Sequence, residues 1–81
     1  MQRWEYCRIA LDKSGDEAKF LLYTPEVKVR IFKSETFKDN PDIWELYSII
    51  EGELVEDGWE LFRESIHNSK IYYYFKRPIT E

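Results

Sequence analysis

Residues 54–62 read LVEDGWELF, and the glycine at position 58 marks a change in the pattern of the chain. Before it, apolar residues recur at intervals of three and four, which is the spacing of one stripe on an α-helix. The stripe consists of Ile43, Leu46, Tyr47, Ile49, Ile50 and Leu54. Glycine adopts the left-handed conformation that closes a helix at almost no steric cost. We therefore predict that a helix ends at Gly58 and that Trp59 begins a new element.

The residues before the stripe indicate where this helix starts. Residues 38–41 read KDNP, so Asn40 can cap the helix and Pro41 suits its first position. Asp42 and Glu45 then place negative charge near the positive end of the helix dipole. Gly52 lies inside the stripe, where glycine costs about 1 kcal/mol relative to alanine.

The letters DIWELY at 42–47 return as DGWELF at 57–62, which raises the question of an internal repeat. The surrounding patterns have different periods, helical around the first copy and alternating after the second. Trp44 is therefore predicted on the first turns of a helix and Trp59 at the start of a strand. The similarity of the two segments is therefore not a repeated functional motif.

After Gly58 the chain has the pattern of a β-hairpin. WELFRESI at 59–66 is predicted to be a strand, HNSK at 67–70 a turn, and IYYYFKR at 71–77 the last strand, closed by Pro78.

The N-terminal part of the chain predicts further strands. RWEYCRIAL at 3–11 alternates, DKSGD at 12–16 has turn chemistry, and AKFLLYT at 18–24 is rich in β-forming residues. VKVRIFK at 27–33 alternates again and predicts a third strand or a bent continuation of the second. The pleat expected to face the helix carries Cys7, Ile9, Leu11, Val27, Val29 and Ile31.

Together these elements predict an α+β fold, a single antiparallel sheet of four to five strands packed on one face by one helix, in the order β-β-β-α-β-β. The 81 residues leave no room for a second core, so we expect a single domain over residues 1–81.

Charge is divided unevenly along the chain. Residues 39–60 hold eight acids and no lysine or arginine, whereas the remainder holds all twelve bases and eight acids. The formal net charge of -4 is thus composed of a segment of -8 and a remainder of +4. The sequence is a charge dipole.

Three separated motifs carry a resemblance to a known family: WEY at 4–6, GWEL at 58–61 and FKRP at 75–78. Their order and spacing resemble the small, mostly prokaryotic family known as domain of unknown function 4177, over nearly the whole chain. Residues 13–40 are less typical of that family. The resemblance implies an α+β fold with one helix across an antiparallel sheet, and it implies no activity.

The residue inventory disfavours an enzyme. Cys7 and His67 are the sole thiol and imidazole, and we expect a core cysteine and a solvated turn histidine rather than a nucleophile and its base. One cysteine and one histidine form no zinc cluster, and three glycines form no phosphate loop. We expect no catalytic residues, no metal and no cofactor. No apolar run approaches the roughly 20 residues of a membrane span, and the N-terminus lacks a signal-peptide pattern, so a cytoplasmic protein is expected.

The candidate binding or interface residues lie on the pleat predicted to face away from the helix, which mixes rings with cations. They are Trp4, Tyr6, Arg8, Lys28, Arg30, Phe32, Tyr72, Tyr74 and Lys76. For the last strand we favour the arrangement in which Tyr72, Tyr74 and Lys76 face outward, because it leaves Ile71 and Phe75 in the core. An uncovered aromatic patch of this kind is typical of an interaction site.

Several functions of this face remain open. Self-association is favoured, as a dimer or higher oligomer in which sheets pack face to face or basic sheets meet acidic helices. The same face could dock another protein, and the alternative is that it holds a small anion or nucleotide between rings and cations. Single-stranded nucleic acid is disfavoured by the net charge. Alternatively, the tyrosines only half-bury against their cross-strand neighbours.

Overall fold

A computed structural model of the chain describes residues 2–13, 18–26, 29–34 and 41–79. Across these ranges the elements are β1 (Trp4–Asp12), β2 (Lys19–Tyr23), β3 (Arg30–Lys33), α1 (Ile43–Glu56), β4 (Glu60–His67) and β5 (Lys70–Pro78). The five strands form one antiparallel sheet in the order β3-β2-β1-β5-β4. The predicted α+β class, the single antiparallel sheet and the order of elements are confirmed for the described residues.

The N-terminal strand lies at the centre of the sheet. Ile9 is opposite Leu22 of β2 on one side and opposite Tyr73 of β5 on the other. On the inner pleat of this strand Cys7, Ile9 and Leu11 are all buried, and on its outward pleat only Ala10 is buried. The pleat predicted for β1 is confirmed.

Helix α1 begins two residues later than the sequence predicted. Asp42 is the N-cap, and its carboxylate accepts hydrogen bonds from the backbone N–H groups of Trp44 (3.0 Å) and Glu45 (2.9 Å). These bonds favour the ionised form and hold the pKa of Asp42 below its usual value. Pro41 therefore precedes the cap instead of occupying the first helical position. Asn40, the predicted cap, lies outside the described residues.

The end of α1 agrees with the prediction at Gly58. This residue has a φ of 91°, and its N–H donates to the carbonyl of Val55 at 3.1 Å. The N–H of Trp59 donates to the carbonyl of Leu54 at 2.9 Å, so two of the last helical carbonyls are satisfied in a Schellman motif. Trp59 and Leu54 are both buried, which adds the apolar contact typical of this motif.

The core lies between α1 and the inner pleat of the sheet. Leu46, Ile50 and Leu54 are the buried residues of the helix. They join one cluster with Cys7, Ile9, Leu11, Phe20, Leu22, Phe32, Trp59, Tyr73 and Phe75. Burial of Tyr73 and Phe75 confirms the pleat predicted for the last strand.

The pleat predicted for β3 is wrong. Phe32 is opposite the buried Phe20 and is only 7% exposed, whereas Ile31 and Val29 are 55% and 39% exposed. Both pleats of this strand offer an apolar side chain. Pairing with β2 buries Phe32 rather than Ile31, because the phenyl ring removes more apolar area from water. Arg30 is opposite Leu22 and so also lies on the helix side. Val27 and Lys28 lie outside the described residues.

The β4–β5 hairpin has the predicted turn. Asn68 and Ser69 have φ values of 50° and 66°, the left-handed pair expected for a two-residue turn that matches the twist of its strands. His67 and Lys70 close this turn as a pair. The other predicted turn, 12–16, falls mainly outside the described residues, which omit 14–17.

Candidate functional site

The pleat turned away from α1, here called the outer face, carries rings and cations from four strands. Its principal residues are Trp4, Tyr6, Arg8, Tyr23, Phe62, Arg63, Tyr72, Tyr74 and Lys76. The structure thus brings together six of the nine predicted residues. Arg30 and Phe32 are corrected to the helix side, because the register of β3 places them opposite core residues. Lys28 lies outside the described residues.

One row of the outer face alternates between ring and cation across the sheet. The pairing places Tyr23 of β2 beside Arg8 of β1, Arg8 beside Tyr74 of β5, and Tyr74 beside Arg63 of β4. Neighbouring strands are about 4.8 Å apart, so the two arginines leave the sheet about 10 Å from each other. The row therefore presents two positive charges separated by an aromatic ring.

The cations lie over the rings that surround them. The guanidinium carbon of Arg8 is 4.5 Å from the centre of the Tyr23 ring, and that of Arg63 is 5.9 Å from the centre of Tyr74. The Lys76 ammonium is 4.5 Å from the centre of the Trp4 ring. Attraction to the ring quadrupole holds these side chains against the sheet, which reduces the entropy they lose when a partner binds.

The two arginines of this row keep their hydrogen-bond donors available. Within the described ranges, neither Arg8 nor Arg63 forms an ion pair or a hydrogen bond to a carboxylate, and their contacts are with tyrosine rings. Lys76 differs, because its ammonium is 3.7 Å from a carboxylate oxygen of Glu60. A carboxylate brought to either arginine of the row would be met by a planar guanidinium group.

Phe62 and Arg63 reach this face through an irregularity that the sequence pattern did not predict. The register of β4 against β5 shifts between Leu61 and Arg63, which is a β-bulge. The Phe62 ring meets the Tyr6 ring edge to face with centres 5.9 Å apart. Two large apolar residues in succession, Leu61 and Phe62, were the available signal, since a regular half-buried strand would alternate. Tyr23 was missed because the outward pleat of β2 was not assigned.

A shallow recess of about 410 Å³ lies on the outer face around Arg8. Its walls include Tyr6, Tyr23, Pro25 and Tyr74. The recess therefore offers a guanidinium group between aromatic and apolar walls.

The opposite side of the molecule is acidic. Glu53, Glu56 and Asp57 line a recess of about 400 Å³ between α1 and β3, and Arg30 lines it as well. Glu45 adds a further carboxylate at the start of the helix, where the charge of Asp42 raises its pKa. Among the described residues the helix thus carries mainly carboxylates and the outer face mainly cations, although Arg30 and Arg77 lie on the helix side.

The geometry separates the thiol from the imidazole. Cys7 is opposite Phe75 and His67 is opposite Lys70, five residues apart along β5 or about 17 Å. Burial raises the pKa of the Cys7 thiol to about 12, which keeps it protonated near neutral pH. Among the described residues, no group of three or more His, Cys, Asp or Glu is placed to hold a metal ion. In the same residues, no helix combines the length and the apolar character needed to cross a membrane.

The motif residues at 58–59 and 77 have structural roles. The guanidinium of Arg77 donates to the carbonyl oxygen of Asp57 at 3.0 Å and to its carboxylate at 3.0 Å. It also donates to the Glu5 carboxylate from Nε at 2.6 Å and from Nη2. Arg77 therefore ties the end of α1 to two adjacent strands, and Gly58 and Trp59 form the helix end that it contacts.

No family model, curated protein or solved structure matches this chain in the comparisons made. The resemblance of its motifs to domain of unknown function 4177 stays a prediction.

Proposed function

We propose that this chain is a non-catalytic domain that acts by protein association, with copies of itself or with a partner protein, through the outer face. The observation that carries the proposal is the row formed by Tyr23, Arg8, Tyr74 and Arg63. Within the described part of the chain the row is uncovered, its guanidinium donors meet no carboxylate, and it crosses four paired strands of the sheet. We propose a cytoplasmic location for this activity.

Exposed apolar area supports the same surface. Tyr6 is 58% exposed and Phe62 is 46% exposed on the outer face, beside the partly exposed Trp4. Aromatic residues and arginine are enriched in protein interfaces, and tryptophan, tyrosine and arginine are enriched among the residues that contribute most to binding energy. A contiguous group of them on one pleat is typical of an interaction site.

The β4 edge of the sheet is a weaker candidate for association. Strand β4 carries the bulge between Leu61 and Arg63, and Glu64 points to the inner pleat opposite Tyr73. A bulge and an inward-pointing charge both oppose the addition of a further strand at an edge. Association through a face, rather than through this edge, therefore fits the chain better.

Native mass spectrometry of protein purified without denaturation tests the proposal. Wild type is expected to give masses above the 9.9 kDa chain, as integer multiples or with a second protein. Tyr6→Ala and Arg63→Glu are each expected to shift the population toward the bare chain, because they remove a ring and reverse a charge on the outer face.

Two matched variants serve as controls. Ile66→Ala removes an exposed side chain, 76% accessible, on the inner pleat of β4, and Lys13→Glu reverses an exposed charge beyond the end of β1. Both should keep the wild-type masses. A wild type that is a bare monomer, or associated species equally abundant in the outer-face variants, would overturn the proposal.

The recess around Arg8 favours a second candidate function, binding of a small aromatic anion such as a nucleotide. Its rings could stack on a base while the guanidinium of Arg8 holds a phosphate. An adduct of a few hundred daltons in the same mass spectrum, lost in Arg8→Gln, would support it. A nucleotide panel that leaves the melting temperature unchanged would count against it.

A further inference from the structure

From charge complementarity we infer that the outer face of one copy binds the acidic side of α1 in a second copy, in a head-to-tail arrangement. This inference rests on the proposed function and names its partner. The contact pairs the row Arg8, Tyr74 and Arg63 with a ridge of the helix formed by Glu45, Ile49 and Glu53. We call the first set the arginine row and the second the acidic ridge.

The acidic ridge is a continuous row on the helix surface. Its three residues are four positions apart, which places them along one of the ridges by which helices pack. Ile49 is 39% exposed, and Glu45 and Glu53 are both exposed. The ridge thus presents an apolar side chain between two carboxylates, and the arginine row presents a ring between two guanidinium groups.

The spacing of the two sets agrees. Glu45 and Glu53 are eight residues apart, which is about 12 Å along a helix. Arg8 and Arg63 are two strand spacings apart, or about 10 Å. Long flexible side chains absorb the difference, so a helix laid across β1, β5 and β4 can form both ion pairs while Ile49 meets the Tyr74 ring.

The helix surface beside the ridge allows a close approach. The next row along α1 contains Ser48 and Gly52, both exposed and both small. A Cβ added at Gly52 would meet nothing within 4 Å, so no contact within the described fold requires glycine there. A mid-helix glycine costs about 1 kcal/mol relative to alanine. The absence of a side chain at Gly52 would let a ring from a second copy pack closely against this row.

The symmetry of the contact determines the kind of assembly. Two different surfaces of the same chain meet, so the interface is heterologous and produces an open chain or a closed ring rather than an isologous dimer. Its ion pairs are partly exposed, so association should weaken as salt rises.

A charge exchange tests the inference. Arg63→Glu and Glu53→Lys are each expected to lose the species heavier than the 9.9 kDa chain, measured by sedimentation velocity at a concentration where wild type is half associated. An equimolar mixture of the two variants should recover associated species. In the mixture, the carboxylate introduced at position 63 of one variant meets the ammonium introduced at position 53 of the other.

Glu64→Lys is the control for the charge exchange. It reverses a charge on the inner pleat of β4, opposite Tyr73, and should leave association unchanged. Circular dichroism checks that every variant is folded.

The outcomes separate this inference from the proposed function. If Arg63→Glu dissociates the protein but Glu53→Lys does not, or if the mixture stays dissociated, the outer face binds something other than the acidic ridge and only the inference fails. Face-to-face packing of sheets or a different partner protein would each give that result. If neither variant changes the wild-type mass, the outer face is not the association surface and both proposals fail.

Discussion

The guanidinium carbon of Arg77 lies 4.3 Å from the centre of the Trp59 ring, so the last strand and the end of the helix are joined by one stacked pair. The same guanidinium donates to the carbonyl oxygen of Asp57, one of the groups that a helix leaves unpaired at its C-terminus. It also pairs with Glu5 of β1, and both side chains are largely shielded from water. Arg77 therefore connects three elements that are far apart in sequence.

Replacing Arg77 is expected to lower the stability of the fold, and the loss should be larger when more of its hydrogen bonds and its charge are removed. Arg77→Gln should lower the free energy of unfolding by about 2 kcal/mol, because hydrogen bonds to charged groups contribute roughly 1.5–3 kcal/mol each and the charge of Glu5 is left without its partner. Arg77→Lys keeps the charge but not the planar fork, so it should recover only part of that loss. Urea unfolding measures both. Equal stabilities of Arg77→Gln and wild type would show that the cluster contributes nothing.

The two glycines at and near the helix end should respond in opposite directions to alanine. Gly58 has a φ of 91°, and an added Cβ would lie 3.4 Å from Cδ of Arg77, so Gly58→Ala should destabilise by about 1–3 kcal/mol. Gly52 is helical and open to solvent, so Gly52→Ala should stabilise by up to about 1 kcal/mol. Thermal or urea unfolding of the pair gives the comparison, and a stable Gly58→Ala protein would contradict the Schellman geometry.

Alanine substitutions on β3 test which pleat faces the core. Phe32→Ala should cost about 3 kcal/mol, the range of a buried aromatic truncated to alanine. Ile31→Ala should cost less than about 1 kcal/mol because that side chain is mostly exposed. Both are read from urea midpoints. The reverse order of the two effects would restore the pleat predicted from the sequence.

Cys7 should resist thiol reagents in the folded protein. Its pKa is raised from 9.0 to about 12 by burial, so the reactive thiolate fraction near pH 8 falls about a thousandfold, before any steric block. Labelling with a maleimide, followed by mass spectrometry, should proceed only when urea unfolds the chain. Rapid modification of the native protein would contradict the burial.

Alkaline pH should destabilise the fold. The pKa of Cys7 is higher in the folded than in the unfolded chain, so its contribution is complete below pH 9.0 and is lost as pH rises towards about 12. Burial likewise raises the pKa of Tyr47 and Tyr73, which adds to the loss above pH 10.0. Urea midpoints at about pH 7, 9 and 10.5 measure the decline, and Cys7→Ala should make it shallower. A flat profile would contradict these shifts.

Much of the candidate site could be predicted from the alternation of two strands. In β1 the alternation of Cys7, Ile9 and Leu11 predicts Arg8 outward. In β5 the outward position of Tyr74 was chosen because it leaves Ile71 and Phe75 in the core. Arg63 and Phe62 could not be assigned in this way, because a bulge shifts the register by one residue and only pairing with β5 reveals it. Part of the outer face therefore follows from the two-residue alternation of a strand, and part follows from the register in which β4 pairs with β5.

The sequence by itself determined the features that arise within a few residues of each other. The helix end at Gly58, the turn at Asn68 and Ser69, and the alternation of β1 depend on backbone conformation and local spacing, which the chain encodes directly. The tertiary structure alone decided the pleat of β3, the order of the strands and the cluster around Arg77. Those features depend on which distant segments pair. The competing arrangements differ in the apolar area they bury, and that area depends on contacts between segments that are far apart in the sequence.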